Sequence, residues 1–316
     1  MVKQSDNEVL TTDNPNRFVI FPIKYHDVWQ FYKESVSNFW SVEEINIETD
    51  IKDWQKLNET ECHFFSVILA YLANGEQGIG KNMIQNFSNE IEIPEIRAFF
   101  GIQIAMENMH TEMYSLLLNT YITDDIERKK LFDTIESFQY FKKKDAWVQD
   151  LVISQELSIG HRLVAYSIKK TIFFSGIFAA IKWMKKKGIL SGLITSNDMI
   201  FRDNSLYTDF IVLLTNYISN KPDQHWVHKI VQEAVAIEHE FINVTLPVVF
   251  IGMDCKIASV YLKSCADYIL NDLGYEKIFK VENPFGFIER NKFRVNGQKD
   301  KVEAKSANTF SVEDDF

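Results

Sequence analysis

Apolar residues recur at helical spacing over most of the chain, and no stretch keeps the strict alternation of a half-buried strand. After an extended entry segment, NPNRFVIFPI (14–23), helical reading starts near His26, with Trp29, Tyr32 and Phe39 or Trp40 as apolar points. A long helical stretch follows over 57–89, interrupted at NGEQGIG (74–80), and Pro94 opens the next, which runs to about Tyr121. Further helices are expected at roughly 125–141, 145–158, 161–187, 195–220, 224–245 and 254–273, the longer ones carrying apolar residues at i, i+3, i+4 and i+7. Helices of this length around one core pack as a bundle, so the fold class expected is all-α. Most of the 25 Phe read as bulky packing layers of that bundle. The polar residues 1–16 read as a flexible arm, 17–289 as one helical domain, and 290–316 as a flexible tail that passes through NGQKDKVEAKSAN and ends in TFSVEDDF.

Composition narrows the function classes. Only 12 Gly and 6 Pro in 316 residues disfavour a fold of many short strands. A net charge of −10 without a basic tract speaks against nucleic acid or an anionic membrane as partner. Cys62, Cys255 and Cys265 form neither a CxxC nor an even set, which suggests a reducing compartment and a cytoplasmic location. The N-terminus lacks the apolar core of a signal peptide. TIFFSGIFAAI (171–181) is shorter than the roughly 20 residues of a membrane span and reads as a buried core helix. No P-loop, dinucleotide-binding glycine pattern or GxSxG is present.

One constellation carries chemistry. In AMENMHTEMY, Glu107 and His110 share a helix face at i, i+3, and Tyr114 follows one turn later. A Glu-x-x-His pair aimed into a bundle is half of a carboxylate-bridged di-iron site, whose several carboxylates balance two metal ions in a dry interior. No second such pair occurs. Elsewhere, His225 and His228 read as a surface pair, Glu238, His239 and Glu240 as part of a polar helix face, and His63 near Cys62 lacks a third ligand.

Taken with NRFVIFPIKYHDVWQFYK, NFWSVEEI, IFFSGIFAAIKW, GLITSNDMIFRD, LPVVFIGMDC, VENPFGFIE and the closing TFSVEDDF, these residues resemble the small, radical-generating subunit of class I ribonucleotide reductase of the eukaryotic type. The resemblance covers nearly the whole chain. It implies a ferritin-like helical bundle, a dimer, and a large subunit that reduces ribonucleotides. It also implies six metal-ligand positions and a radical tyrosine. Glu76 stands at the family's Asp position, Glu107 and His110 are retained, and Tyr114 stands at the radical position. Lys170, Asn204 and Tyr207 replace a Glu, a Glu and a His. Four family carboxylates become Glu76, Glu107 and an ammonium, which repels cations and cannot ligate them while protonated. No di-iron cluster is therefore expected here, and at most one metal ion. Lys170 either pairs with Glu107 or Glu76 in place of the metal charge or extends along its helix to solvent.

Trp40, Asp203 and His110 match the family's electron relay, whereas the last tyrosine is Tyr275, so the tail lacks the relay tyrosine of active members. In the tail, Phe310, Val312 and Phe316 alternate with Glu313, Asp314 and Asp315, the pattern that docks on the large subunit in the family. These features describe a non-catalytic paralogue that pairs with an active small subunit, or with itself, and offers its tail to the large subunit. A regulator competing for the large subunit, or a remodelled metal site that still supports a radical, are the alternatives.

Overall fold

The computed structural model describes residues 9–12, 17–74, 83–245, 255–286, 288 and 292–293. Among these residues the regular structure is helical: α1 (His26–Ser37), α2 (Glu48–Trp54), α3 (Glu59–Asn74), α4 (Met83–Glu90), α5 (Pro94–Tyr121), α6 (Asp125–Ser137), α7 (Gln139–Val148), α8 (Ile159–Ile172), α9 (Ser175–Met184), α10 (Ser191–Thr215), α11 (Gln224–Thr245) and α12 (Cys255–Leu273). The 28-residue α5 lies against α1, α3, α4 and α10, and α8 lies against α10, α11 and α12. One continuous apolar core runs through all of these contacts.

Each of the two longest helices is anchored at its N-terminus through a buried carboxylate. Pro94 opens α5, where its missing N–H costs nothing. The fully buried Glu95 in that first turn takes both Arg17 Nη atoms and the Lys24 amide. This fastens the entry segment to α5. At α10, Asp50 of α2 accepts the amides of Gly192 (2.9 Å) and Leu193 (2.8 Å) and the Tyr121 hydroxyl (2.7 Å). Asp50 therefore satisfies two of the orphan amides of α10 from outside the helix. A Cβ at position 192 would lie 2.8 Å from the Asn46 carbonyl, so only glycine allows this approach.

Three expectations are corrected by local chemistry. The helix expected over 161–187 is broken between Ile172 and Ser175. The Phe173 carbonyl, which a continuous helix would use internally, instead accepts Lys144 Nζ at 3.0 Å. The helix expected over 125–141 ends at Ser137, and the following residues form α7, which opens at Gln139 and closes in a π turn at Gln149–Ile153. Packed residues also occur within the segments read as arm and tail. Leu10 is fully buried and its carbonyl accepts the Glu92 amide, although Val9, Thr11 and Thr12 around it are exposed. Phe293 packs on Phe31 and its amide binds Asp209. The docking peptide 310–316 and the LPVVFIGMD segment (246–254) lie outside the described residues.

By length and composition the run Ile159–Met184 could cross a membrane, but 83% of its apolar window is buried inside the bundle. The segment TIFFSGIFAAI (171–181) therefore lies in the interior, as expected, but it straddles the break between α8 and α9 and is not a single helix.

Candidate functional site at the crossing of α5, α8 and α10

Three helices bring the expected site residues together. α5 carries Glu107, His110 and Tyr114, α8 carries Lys170, and α10 carries Asp203, Asn204 and Tyr207. Glu76 lies outside the described residues.

Lys170 does not reach for solvent. Its ammonium lies 2.6 Å from Glu107 Oε1 and donates to Asn204 Oδ1 at 3.2 Å, with only 4% of the side chain exposed. It sits 5.8 and 5.7 Å from the ring centroids of Tyr166 and Tyr207, whose faces favour a cation. Glu107 Oε1 also accepts from Gln103 Nε2 at 3.0 Å. Burial pushes the Glu107 carboxyl up, but the adjoining Lys170 charge and these hydrogen bonds outweigh it and hold the group below the usual carboxylate range. Glu107 is therefore an ionised carboxylate already neutralised by a cation of the chain itself.

The relay positions are also assembled. Trp40 Nε1 donates to Asp203 Oδ2 at 2.8 Å, and His110 Nε2 lies 3.0 Å from the same oxygen. The Trp40 and His110 rings stack at 6.0 Å, and His110 stacks on Tyr207 at 6.4 Å. Arg202 pairs with the other Asp203 oxygen. Tyr114 donates to Asn197 Oδ1 at 3.2 Å. A cavity of about 60 Å³ opens beside these groups, lined in part by His110, Tyr114, Lys144, Lys169, Lys170 and Asn204.

Several participants were not singled out from sequence. Gln103 and Tyr166 join Glu107 in one hydrogen-bonded group. The i−4 spacing of Gln103 from Glu107 was the available signal. Glu238, expected on a polar face of α11, is fully buried and pairs with Lys144 at 2.6 Å. The reason is local, because Lys144 sits over the Phe241 ring and needs an anion, and Glu238 also takes the Gly176 amide. Burial pushes Lys144 down and Glu238 up. His225 is exposed and His228 binds the Glu276 carbonyl, as befits a surface pair.

The match to known proteins is extensive. A family model described as ribonucleotide reductase, small chain, matches residues 17–284. This chain belongs to the ribonucleotide reductase small-chain family. It is 45% identical over 284 residues to the human ribonucleoside-diphosphate reductase subunit M2, covering 90% of this chain and 73% of the human one. It is 43% identical over 319 residues to the variola virus small chain, covering 98% and 100% respectively. The yeast Rnr4 homodimer structure aligns with a TM-score of 0.84 at 36% identity, over 89% of this chain and 90% of that one. The bundle is thus ferritin-like, as the family resemblance implies, and of the eukaryotic small-subunit type.

The family's di-iron centre does not fit the described residues. Among them no group of three or more His, Cys, Asp or Glu side chains converges as a metal site. Glu107, the one carboxylate ligand position among them, is occupied by an ammonium at 2.6 Å, and Asn204 and Tyr207 offer an amide and a phenol where anionic and imidazole donors would be needed. What this arrangement does chemically is join α5, α8 and α10 through a buried ion pair.

Proposed function

We propose that this chain is a non-catalytic small-subunit paralogue of ribonucleoside-diphosphate reductase. It pairs with an active small subunit and supports deoxyribonucleotide synthesis by holding that partner in a form ready to take up iron. Its C-terminal peptide, with Phe310, Val312 and Phe316 among acidic residues, docks on the large subunit. The observation that carries the reading is the Lys170–Glu107 pair, which neutralises the ligand-position carboxylate among the described residues without metal and holds the helices together. The family resemblance supports the pairing, since the neighbouring yeast structure is a homodimer.

The experiment is a reconstitution. The purified chain is exposed to ferrous iron and oxygen, and iron per chain and the tyrosyl radical signal are measured. It is then mixed with a metal-poor active small subunit and the large subunit. The expected result is iron near zero and no radical on this chain, with stimulation of nucleotide reduction in the mixture. Iron near two per chain would overturn the reading, about one would establish a remodelled mononuclear site, and inhibition of an assembled holoenzyme would make the chain a competing regulator.

A further inference from the structure

The outer face of α1 is apolar and uncovered. Phe21 is 62% exposed and packs edge-on against Trp29 at 6.0 Å, and Trp29 packs on Tyr32 at 4.6 Å. Val36 (42% exposed) follows one turn on, and Phe39 (52% exposed) lies just past the helix end. Trp29, Tyr32 and Val36 follow the i, i+3, i+7 spacing of a single helix face, the first two half-buried, and Phe21 and Phe39 flank them beyond the helix ends, so they form a strip rather than scattered points. A soluble domain rarely leaves such a continuous aromatic strip without an occupant.

The last described residue lies beside this helix. Phe293, the last described residue, contacts Phe31 on the inner side of α1 at 4.7 Å and is fixed by the Asp209 hydrogen bond. From there 23 residues remain, and Phe310 follows Phe293 by 17 positions. A segment of that length has a root-mean-square span of about 20–25 Å and an extended reach of about 60 Å. The strip from Trp29 to Phe39 runs about 15 Å, so either end is within reach.

The chemistry matches too. The terminal peptide presents Phe310, Val312 and Phe316 over about 20 Å when extended. Its Glu313, Asp314 and Asp315 would meet the exposed Lys24 and Lys33 along the strip and Arg202, which donates to the Asn38 carbonyl at its far end. Glu34 is the acidic neighbour on this face and is hydrogen-bonded by Asn38.

We infer that the strip on α1 is the intramolecular seat of the chain's own C-terminal peptide, Phe310–Phe316. The peptide lies there when no partner holds it, with its aromatic residues on Trp29, Tyr32 and Phe39 and its carboxylates toward Lys33. This stands on the strip and the tail of this chain alone and does not require the large-subunit reading. Tethering supplies the effective concentration, so a weak contact suffices.

The test is zero-length carbodiimide cross-linking of the full chain without any partner, read by mass spectrometry on an equal mixture of ¹⁴N- and ¹⁵N-labelled protein. The expected product joins Lys24 or Lys33 to Glu313, Asp314 or Asp315 within one isotopic form. Its yield should fall at least fivefold in Phe310→Ala/Phe316→Ala and in Val36→Glu, while the Lys143–Glu240 cross-link, a surface pair at 2.5 Å, keeps its yield. Because the tail variants leave the bundle untouched, misfolding does not blur the result. Absence of the product, a yield indifferent to these substitutions, or products joining only the two isotopic forms would overturn the inference, the last by making a second copy the occupant.

Discussion

Replacing Lys170 by methionine isolates the interaction on which the site depends. At 2.6 Å the Lys170–Glu107 attraction is about 6 kcal/mol gross at an effective dielectric constant near 20. Desolvation of two ions offsets most of that, so the intact pair adds little net stability. Removing one partner is different, because it leaves a buried carboxylate uncompensated at a cost of about 3–5 kcal/mol. Gln103 and Tyr166 still donate to Glu107 in the variant, which places the expected loss near the lower end, about 3 kcal/mol at pH 7. The pH dependence carries the sign. In the native chain the Glu107 carboxyl is held below its ordinary 4.5, so its contribution is present above that pH and is lost as pH falls through the depressed value. Without Lys170, burial raises the carboxyl above 4.5 and the same group becomes destabilising as pH rises past that point. Urea unfolding at fixed protein concentration should therefore show a large deficit at pH 7 that shrinks toward pH 4. The double variant Lys170→Met/Glu107→Gln should recover to within about 1 kcal/mol of the native chain. A deficit under about 1 kcal/mol at pH 7, or one equal at both pH values, would refute the argument.

Three further outcomes follow from the same contacts. Gly192→Ala should cost about 1–3 kcal/mol in denaturant unfolding, because its Cβ would press on the Asn46 carbonyl and Asp50 Oδ2 at 2.8 and 2.9 Å. Glu95→Gln should cost about 1.5–3 kcal/mol, the range for a charged hydrogen bond. Burial pushes Glu95 up, but Arg17 and the Lys24 amide hold it below its ordinary value, so its contribution is present above about pH 4.5 and lost as pH falls. The variant's stability should therefore vary less between pH 3 and 5, a difference that acid titration followed by circular dichroism resolves. Lys170→Glu/Asn204→Glu/Tyr207→His, which introduces the residue types that the family resemblance implies at these positions, should bind more iron per chain than the native protein by colorimetric assay; an unchanged value would refute the assignment of these positions as ligand sites.

Much of the fold was legible because the helical spacing is strong where helices are long. α5 was expected from Pro94 to about Tyr121 and is found there, and α11 matches its expected bounds of 224–245. The misread boundaries share a cause. The break between α8 and α9 depends on Lys144, 29 residues away in sequence, capturing the Phe173 carbonyl, and no local pattern carries that. Glu238 opens the run Glu-His-Glu that reads as polar, and only the arrival of Lys144 makes its burial tolerable. Leu10 is similar, since Val9 and Leu10 stand as an isolated apolar pair in a polar arm and give no periodicity to read. At the site, the resemblance supplied the positions and charge arithmetic supplied the conflict at Lys170. What it left open was which way the ammonium turns. The neighbouring acceptors and aromatic faces decide that: Glu107, Asn204 Oδ1 and the rings of Tyr166 and Tyr207 make the interior a better place for the ammonium than the surface.

The persistence of Trp40, Asp203 and His110 beside a rebuilt ligand set has a physical explanation that needs no electron transfer. Asp203 accepts from Trp40, faces His110 and pairs with Arg202, so one carboxylate ties α5 and α10 to the segment after α1. Substituting any one of the three would strand a buried polar partner, whose desolvation costs about 1–3 kcal/mol. The ligand positions are under a different constraint. There a cation is required to balance Glu107, but its chemical identity is free as long as it reaches the same oxygen. A lysine whose tip reaches 2.6 Å from Glu107 meets that requirement from within the chain. Packing thus accounts for the groups that stayed, and charge balance for the one that replaced a ligand. A chain that keeps the first and substitutes the second holds the same three helices together with a charge of its own.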